Sequence, residues 1–98
     1  PTVVAEALAC GLPVVASESG GLPEMTSPEC ARLIAVPEAW DHTHTPSGEE
    51  MAQAVSALIP GLQTASAAAR LRAESVFDSG AWIQSHRDIF LNVLNSSR

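Results

Sequence analysis

The sequence predicts an α/β fold with two parallel strands flanked by helices and a helical second half of the chain. Three observations support this prediction. The hydrophobic patterns occur in the order helix, strand, loop, strand and then three helices. The first strand pattern is a short continuous apolar run, which is typical of parallel sheets. A capping box at residue 47 and the widest apolar stripe of the chain, at residues 82–94, indicate helices in the second half.

The first predicted helix begins at Pro1, because proline is favoured at the first helical position. Its apolar stripe consists of Val4, Ala7, Leu8 and Val3. Gly11 can adopt the left-handed conformation that ends a helix, and Pro13 prevents the helix from resuming. The apolar run at residues 13–17 is then predicted to be a strand that is buried on both faces.

A loop rich in turn residues follows the first strand at residues 18–23. Ligands of open α/β sheets bind beyond the carboxyl ends of the strands, so this loop is a candidate part of a binding site. Glu24 and Met25 are predicted to begin a short helical turn. Residues 31–36 are predicted to be the second strand, ended by Pro37, and the short crossover predicts right-handed winding.

The segment at residues 37–46 has no helical or strand periodicity and is predicted to be a surface loop. It contains Trp40, Asp41, His42 and His44. The acid and the two histidines invite a metal interpretation, but no further ligand lies at motif spacing. A polar loop is therefore preferred to a metal site.

Three helices are predicted after this loop. Ser47 and Glu50 form the capping box of the first, which ends at residues 60–61. Its apolar stripe is Met51, Ala54, Val55 and Leu58. The second, at residues 62–77, is rich in alanine and has a thin apolar face that suits close packing. Asp78 or Ser79 caps the last helix, whose wide stripe needs a large surface to cover. That stripe consists of Trp82, Ile83, His86, Ile89, Phe90, Val93 and Leu94.

Several charged residues on the helical segments are predicted to be structural rather than functional. Arg70 and Arg72 lie two positions apart and so point to different sides of a helix, which favours ordinary surface charge over a phosphate clamp. Glu24 is expected to interact with the positive end of a helix dipole. His86 is expected to be packed or partly exposed rather than a catalytic base.

The composition bounds the function. The 98 residues allow one compact domain at most, burying about 60–65% of the extended surface. Eleven acidic residues against five basic ones, with no lysine, give a net charge of −6 and disfavour nucleic acid and anionic membranes as partners. No apolar run approaches the roughly 20 residues of a membrane-spanning helix. Cys10 and Cys30 are expected to be reduced, packed thiols, which fits a cytoplasmic location.

Residues 6–17 read EALACGLPVVAS and residues 20–24 read GGLPE. These two motifs resemble the donor-site signature of the retaining GT-B glycosyltransferases of family four, the glycosyl transferases group 1. The resemblance is nearly continuous over residues 1–25 and weaker towards the end of the chain, and residues 37–46 depart from the family pattern. It implies an incomplete Rossmann-like (GT-B C-terminal) domain that binds a nucleotide sugar.

In that domain, residues 1–36 would be the donor-site portion, residues 37–46 a loop and residues 47–98 the C-terminal helices. A chain without an initiator methionine and with two strands is expected to be preceded by further strands in its parent protein. Such a parent would also carry an N-terminal acceptor domain.

The resemblance implies roles for five residues. The carboxylate of Glu6 would accept hydrogen bonds from the ribose hydroxyls of the nucleotide. The backbone amides of Thr2 and Val3 would bind the diphosphate at the start of the helix. Gly20 and Gly21 would form a loop near the donor site, with an ordinary turn as the alternative. A first glutamate of the family's pair, expected to hold the donor sugar, would lie three residues before Pro1.

The leading functional expectation is a glycosyltransferase fragment that moves a hexose-type sugar from a nucleoside diphosphate to an acceptor with retention. No metal or other cofactor is expected, the isolated chain is expected to be inactive, and the parent is expected to be cytoplasmic or peripheral to a membrane. Self-association through exposed apolar faces is expected. The alternative is a non-catalytic α/β or helical module that binds proteins through residues 82–94.

Overall fold

A computed structural model describes residues 1–39 and 41–96, so the predicted position of Trp40 in a surface loop lies outside the described residues. The elements follow the predicted order. They are α1 (Thr2–Ala9), β1 (Val14–Ser17), α2 (Leu22–Met25), β2 (Ala31–Ile34), α3 (Gly48–Leu58), a 3₁₀ turn (Ile59–Gly61), α4 (Leu62–Val76) and α5 (Ser79–Ser96). The mixed α/β class and the helical second half are confirmed.

The two strands pair in parallel, with Val14 beside Ala31 and Ser17 beside Ile34. β2 ends two residues earlier than predicted. β1 is half-buried along its whole length, so the prediction of a strand buried on both faces is wrong. The physical reason is that β2 is the only strand that pairs with β1 in the described chain, which leaves the other edge of β1 without a neighbour.

The core lies between α1, the start of β2 and α4. Its buried members are Val4, Leu8, Cys30, Ala31, Ala69 and Ala73. The predicted stripe of α1 is therefore confirmed at Val4 and Leu8, and the alanine face of α4 is confirmed as the packing face. Alanine side chains permit a close approach of two helices, and a Cβ added to Gly11 would come within 3.1 Å of the Ser66 Oγ.

The ends of the helices are fixed by the predicted residues. Gly11 has a φ of +74° just after α1. At the start of α3, the Glu50 amide donates to the Ser47 Oγ at 3.1 Å and the Ser47 amide donates to the Glu50 Oε1 at 3.0 Å. Hydrogen bonding of the Glu50 carboxylate to Ser47, first to its backbone amide and then to its hydroxyl, holds the pKa of Glu50 below its usual value. Asp78 caps α5 by accepting from the Ala81 amide at 2.9 Å.

Several apolar residues that were predicted to be packed are exposed. On α3, Leu58 is buried but Met51 and Val55 are about half exposed. Cys30 is buried and Cys10 is exposed, so the prediction of two packed thiols is wrong for Cys10, although both thiols are free. The sequence pattern marks an apolar side of a helix, whereas burial also requires a neighbouring surface.

α5 extends away from the core and has no buried residue. Its large apolar side chains are exposed: Trp82, Ile83, Ile89, Phe90, Leu91, Val93 and Leu94. His86 is half-buried against the ring of Trp82, at a centroid distance of 3.9 Å, rather than in the core. The radius of gyration is 16.8 Å, compared with about 13 Å for a compact chain of 100 residues. Several residues of the wide stripe each keep more than half of their surface exposed, among them Trp82, Ile83, Ile89, Phe90 and Val93.

Among the helices described, none combines the length and the apolar character that crossing a membrane requires.

Candidate functional site

The amino end of α1 presents two backbone amides without a helical acceptor. The first backbone bond at this end runs from the Val4 amide to the Pro1 carbonyl at 3.2 Å, and Pro1 offers no side-chain cap. Thr2 and Val3 are both exposed, and 69% of the surface of Val3 is accessible. An open helix start of this kind favours an anion, because its amides and the helix dipole both carry positive partial charge.

Glu6 lies one turn further along α1 and is exposed. It is two positions from each of the buried residues Val4 and Leu8, so it projects away from the core. It is four positions after Thr2 and three after Val3, which places these three residues on one side of the helix. Across residues 1–39 and 41–96, no hydrogen bond or ion pair engages the Glu6 carboxylate. It is therefore free to accept bonds from a ligand.

Gly20 and Gly21 lie in an exposed loop directly after β1. Gly20 has a φ of +55°, which only glycine adopts easily, whereas Gly21 has an ordinary φ of −84° and begins α2. A Cβ added at either position would meet no atom within 4 Å. Both glycines thus leave open space beside the backbone, but the backbone itself requires a glycine only at residue 20.

The tight turn at residues 10–13 reverses the chain between α1 and β1. The Leu12 amide closes this turn on the Ala7 carbonyl at 2.9 Å. The amino end of α1 and the carboxyl end of β1 consequently lie at the same end of the sheet. Ligands of α/β folds bind at this end, beyond the carboxyl ends of the strands. In the described structure no hydrogen bond joins Glu6 to the Gly20–Gly21 loop, and the ligand roles of these residues stay predictions.

A cavity of about 510 Å³ lies beside the glycine loop, and sequence reasoning missed it. It is lined by Ser19, Gly20, Val36, Pro37, Glu38, Ala39, His42, Thr43 and His44. The two loops that form it follow adjacent parallel strands, and this topological signal could have predicted their proximity. The segment 37–46 therefore contributes to the same side of the sheet as the candidate donor site.

The polar residues of that segment contact each other. The Asp41 Oδ1 lies 2.7 Å from the His42 Nδ1, and the rings of His42 and His44 meet edge to face at 4.3 Å. Over the part of the chain that is described, no group of three or more His, Cys, Asp or Glu residues is arranged to hold a metal ion.

Arg70 is exposed and Arg72 is half-buried, and the guanidinium groups of both also donate to backbone carbonyls, which the prediction of ordinary surface charge did not include. Arg70 donates from Nη1 to the Ala9 carbonyl at 2.7 Å, and its Nε pairs with Glu74 at 2.7 Å. Arg72 donates from Nη2 to the Glu24 carbonyl at 2.7 Å and from Nε to the Met25 carbonyl at 3.3 Å. The two side chains do reach different neighbours, as their spacing predicts. Their acceptors are last-turn carbonyls of α1 and α2, which have no partner within their own helices.

The family model described as glycosyl transferases group 1 matches residues 1–60. No curated protein matches the chain significantly, and no solved structure does. The family match covers α1, β1, α2, β2 and α3. It therefore includes the five predicted site residues: Thr2, Val3, Glu6, Gly20 and Gly21. The chain therefore belongs to the glycosyl transferases group 1, a family of glycosyltransferases.

Proposed function

We propose that this chain forms part of the nucleotide-sugar-binding domain of a GT-B enzyme that transfers a hexose-type sugar from a nucleoside diphosphate to an acceptor with retention. The observation that carries the proposal is the exposed side of α1. The exposed amino-terminal residues Thr2 and Val3 and the Glu6 carboxylate, which has no partner among residues 1–39 and 41–96, lie together there, one helical turn apart. This arrangement suits a ligand that combines an anion with hydroxyl groups.

In the proposed complex, the diphosphate lies against the amides of Thr2 and Val3. These amides and the helix dipole stabilise the negative charge that develops on the diphosphate when the bond to the sugar breaks. The Glu6 carboxylate accepts hydrogen bonds from the ribose hydroxyls and so orients the nucleotide without taking part in the chemistry. The open space at Gly20 lets the backbone approach the donor closely.

The proposal assigns no metal ion or cofactor to this chain, because the amides and the dipole meet the charge of the diphosphate. The acceptor and the group that holds the donor sugar are assigned to an N-terminal acceptor domain and to further strands of the same enzyme. The unpaired edge of β1 supports this division, since a parallel sheet of two strands is rarely stable alone. The isolated chain is accordingly proposed to be inactive, and a cytoplasmic location is proposed from its two free thiols.

The test is a titration with nucleoside diphosphates that differ in the ribose. UDP, GDP and ADP are compared first, and the tightest binder is then compared with its 2′-deoxy form. Glu6→Gln should weaken binding of the ribonucleotide roughly 10- to 100-fold, because it removes the charge from a charge-assisted hydrogen bond. The same variant should bind ribo and 2′-deoxy forms almost equally.

The matched control is Asp88→Asn, which neutralises an exposed carboxylate on α5, the helix that extends away from the core. It should leave the dissociation constants unchanged within about twofold. If Glu6→Gln and Asp88→Asn lower the nucleotide affinity to the same extent, the loss comes from the change in net charge and the role of Glu6 is refuted.

A second candidate function is favoured by the bare apolar face of α5, where Trp82 and Phe90 are more than half exposed. In this alternative the chain is a non-catalytic module that associates with a protein surface through residues 82–94. The two proposals separate on nucleotide binding. A protein that binds no nucleoside diphosphate, but whose self-association or partner binding is lost in Phe90→Ser, is the interaction module.

A further inference from the structure

Three side chains of α4 donate hydrogen bonds to backbone carbonyls of the donor-site motifs. Ser66 Oγ donates to the Gly11 carbonyl at 2.6 Å, and Arg70 donates to the Ala9 carbonyl at 2.7 Å. Arg72 donates to the carbonyls of Glu24 and Met25. These bonds join positions 47 to 61 residues apart in the chain. We name this group of three donors, Ser66, Arg70 and Arg72, the α4 brace.

The acceptors of the brace lie at two separate places. Ala9 and Gly11 end the helix that carries Glu6, and Glu24 and Met25 end the short helix that follows the glycine loop. A terminal carbonyl of a helix lacks an intrahelical donor, so a guanidinium at this position both satisfies it and fixes its location. The brace therefore sets the position of α1 and of α2 from one rigid helix.

The apolar packing beside the α4 brace also helps to fix the positions of α1 and α2. Ala69 and Ala73 of α4 are buried against Val4 and Leu8 of α1, and Met25 packs against this cluster. α4 consequently contacts both donor-site helices through apolar side chains and through directed hydrogen bonds. α4 begins at Leu62, beyond the end of the family match at residue 60.

We propose that Arg70 and Arg72 are positioning residues for the donor nucleotide. Arg70, with Ser66, holds α1 so that Glu6 faces the ribose, and Arg72 holds α2 so that the Gly20–Gly21 loop keeps its distance from α1. Neither arginine touches the ligand. This inference rests on the proposed function, because it assigns the brace to the same nucleotide site.

The experiment measures nucleotide affinity and thermal stability together in Arg72→Met and Arg70→Met, at a temperature where circular dichroism shows each variant to be folded. The probe is the nucleoside diphosphate that the unaltered protein binds most tightly. Each substitution should raise the dissociation constant roughly 5- to 20-fold, less than the full loss of a hydrogen bond to a charged group, because neither arginine touches the ligand. Arg87→Met, on the exposed helix α5, is the matched control and should change affinity by less than about twofold.

A double substitution distinguishes positioning from general loosening of the fold. If Arg70 acts through Glu6, Arg70→Met should weaken binding much less in the Glu6→Gln background than in the unaltered protein, because residues coupled through a shared backbone position are not additive. Arg72→Lys keeps a donor and should recover most of the affinity lost in Arg72→Met. A merely structural role would give equal losses in both backgrounds and would lower thermal stability in proportion.

The binding measurements test the proposed function and the positioning role of the brace separately. If the unaltered protein binds no nucleoside diphosphate, the proposed function fails. If it binds and the folded Arg70→Met and Arg72→Met variants bind as tightly as Arg87→Met, the proposed function stands and the positioning role of the brace is overturned. Should either methionine variant fail to fold, Arg70→Gln and Arg72→Gln, whose side chains are shorter and uncharged, replace them, and a nucleotide affinity equal to that of Arg87→Met overturns the inference.

Discussion

α4 and α5 are consecutive helices that both carry an apolar side, but the two sides lie in opposite environments. α4 buries three alanines, at residues 65, 69 and 73, and the last two pack with residues of α1 and β2, whereas α5 exposes far larger side chains such as Trp82 and Phe90. The amount of apolar surface on a helix thus does not decide whether it packs. What decides is a matching neighbour, and the small side chains of α4 permit the close approach that lets α1 serve as one.

The largest expected effect is on the free energy of unfolding, when one apolar side chain is removed from each of these two environments. Leu8→Ala should lower the free energy of unfolding by about 2–5 kcal/mol, because Leu8 is fully buried and its loss leaves a cavity. Phe90→Ala removes a larger side chain that is 64% exposed and should change stability by about 0.5 kcal/mol or less. Urea unfolding followed by circular dichroism measures both. Equal losses would show that α5 is packed in solution and would remove the contrast.

A smaller effect probes how closely α1 and α4 approach. Gly11→Ala should cost about 1–2 kcal/mol, since its φ of +74° is unfavourable for alanine and the new Cβ would crowd the Ser66 Oγ. Gly48→Ala is the control: its surroundings are open and its φ is not positive, so alanine should be neutral or slightly stabilising there. Thermal unfolding of the two variants gives the comparison. A neutral Gly11→Ala would mean that the turn and the Ser66 hydroxyl relax without cost.

The smallest effect concerns α3, whose apolar side is only partly covered and whose start therefore depends on local bonds. Ser47→Ala should destabilise the chain by about 0.5–2 kcal/mol. Glu50 adds a pH dependence. Its pKa is lower in the folded than in the unfolded chain, so its contribution is complete above the ordinary carboxyl pKa and is lost as the pH falls through the lowered value. Unfolding of Glu50→Gln between neutral and acid pH should lack this loss, and an unchanged profile would exclude the capping carboxylate as its source.

Much of the fold was predictable because its signals are local. The Ser47–Glu50 capping box, the end of α1 at Gly11 and the alternation of helices and strands depend on residues a few positions apart. The exposure of β1, Met51 and Cys10 was not predictable in this way, since it depends on which surfaces are present to cover them.

In the candidate site, too, the local features were predictable from the sequence and the long-range contacts were not. The exposure of Glu6 follows from its spacing relative to Val4 and Leu8, and the motif drew attention to Gly20. The roles of Arg70 and Arg72 remained hidden because their acceptors are backbone carbonyls, which every residue has and no pattern distinguishes. Only the three-dimensional arrangement identifies which carbonyls need a donor.

The different environments of the two thiols have a practical consequence. Cys10 is exposed at the end of α1, and Cys30 is fully buried. A thiol-reactive fluorophore should therefore label the chain at a single place, because access controls thiol modification. That place adjoins the carbonyl of Ala9, so the dye would sit at the far end of the helix that carries Glu6. Without any substitution, the chain thus already offers one attachment site for a dye that reports movements of α1.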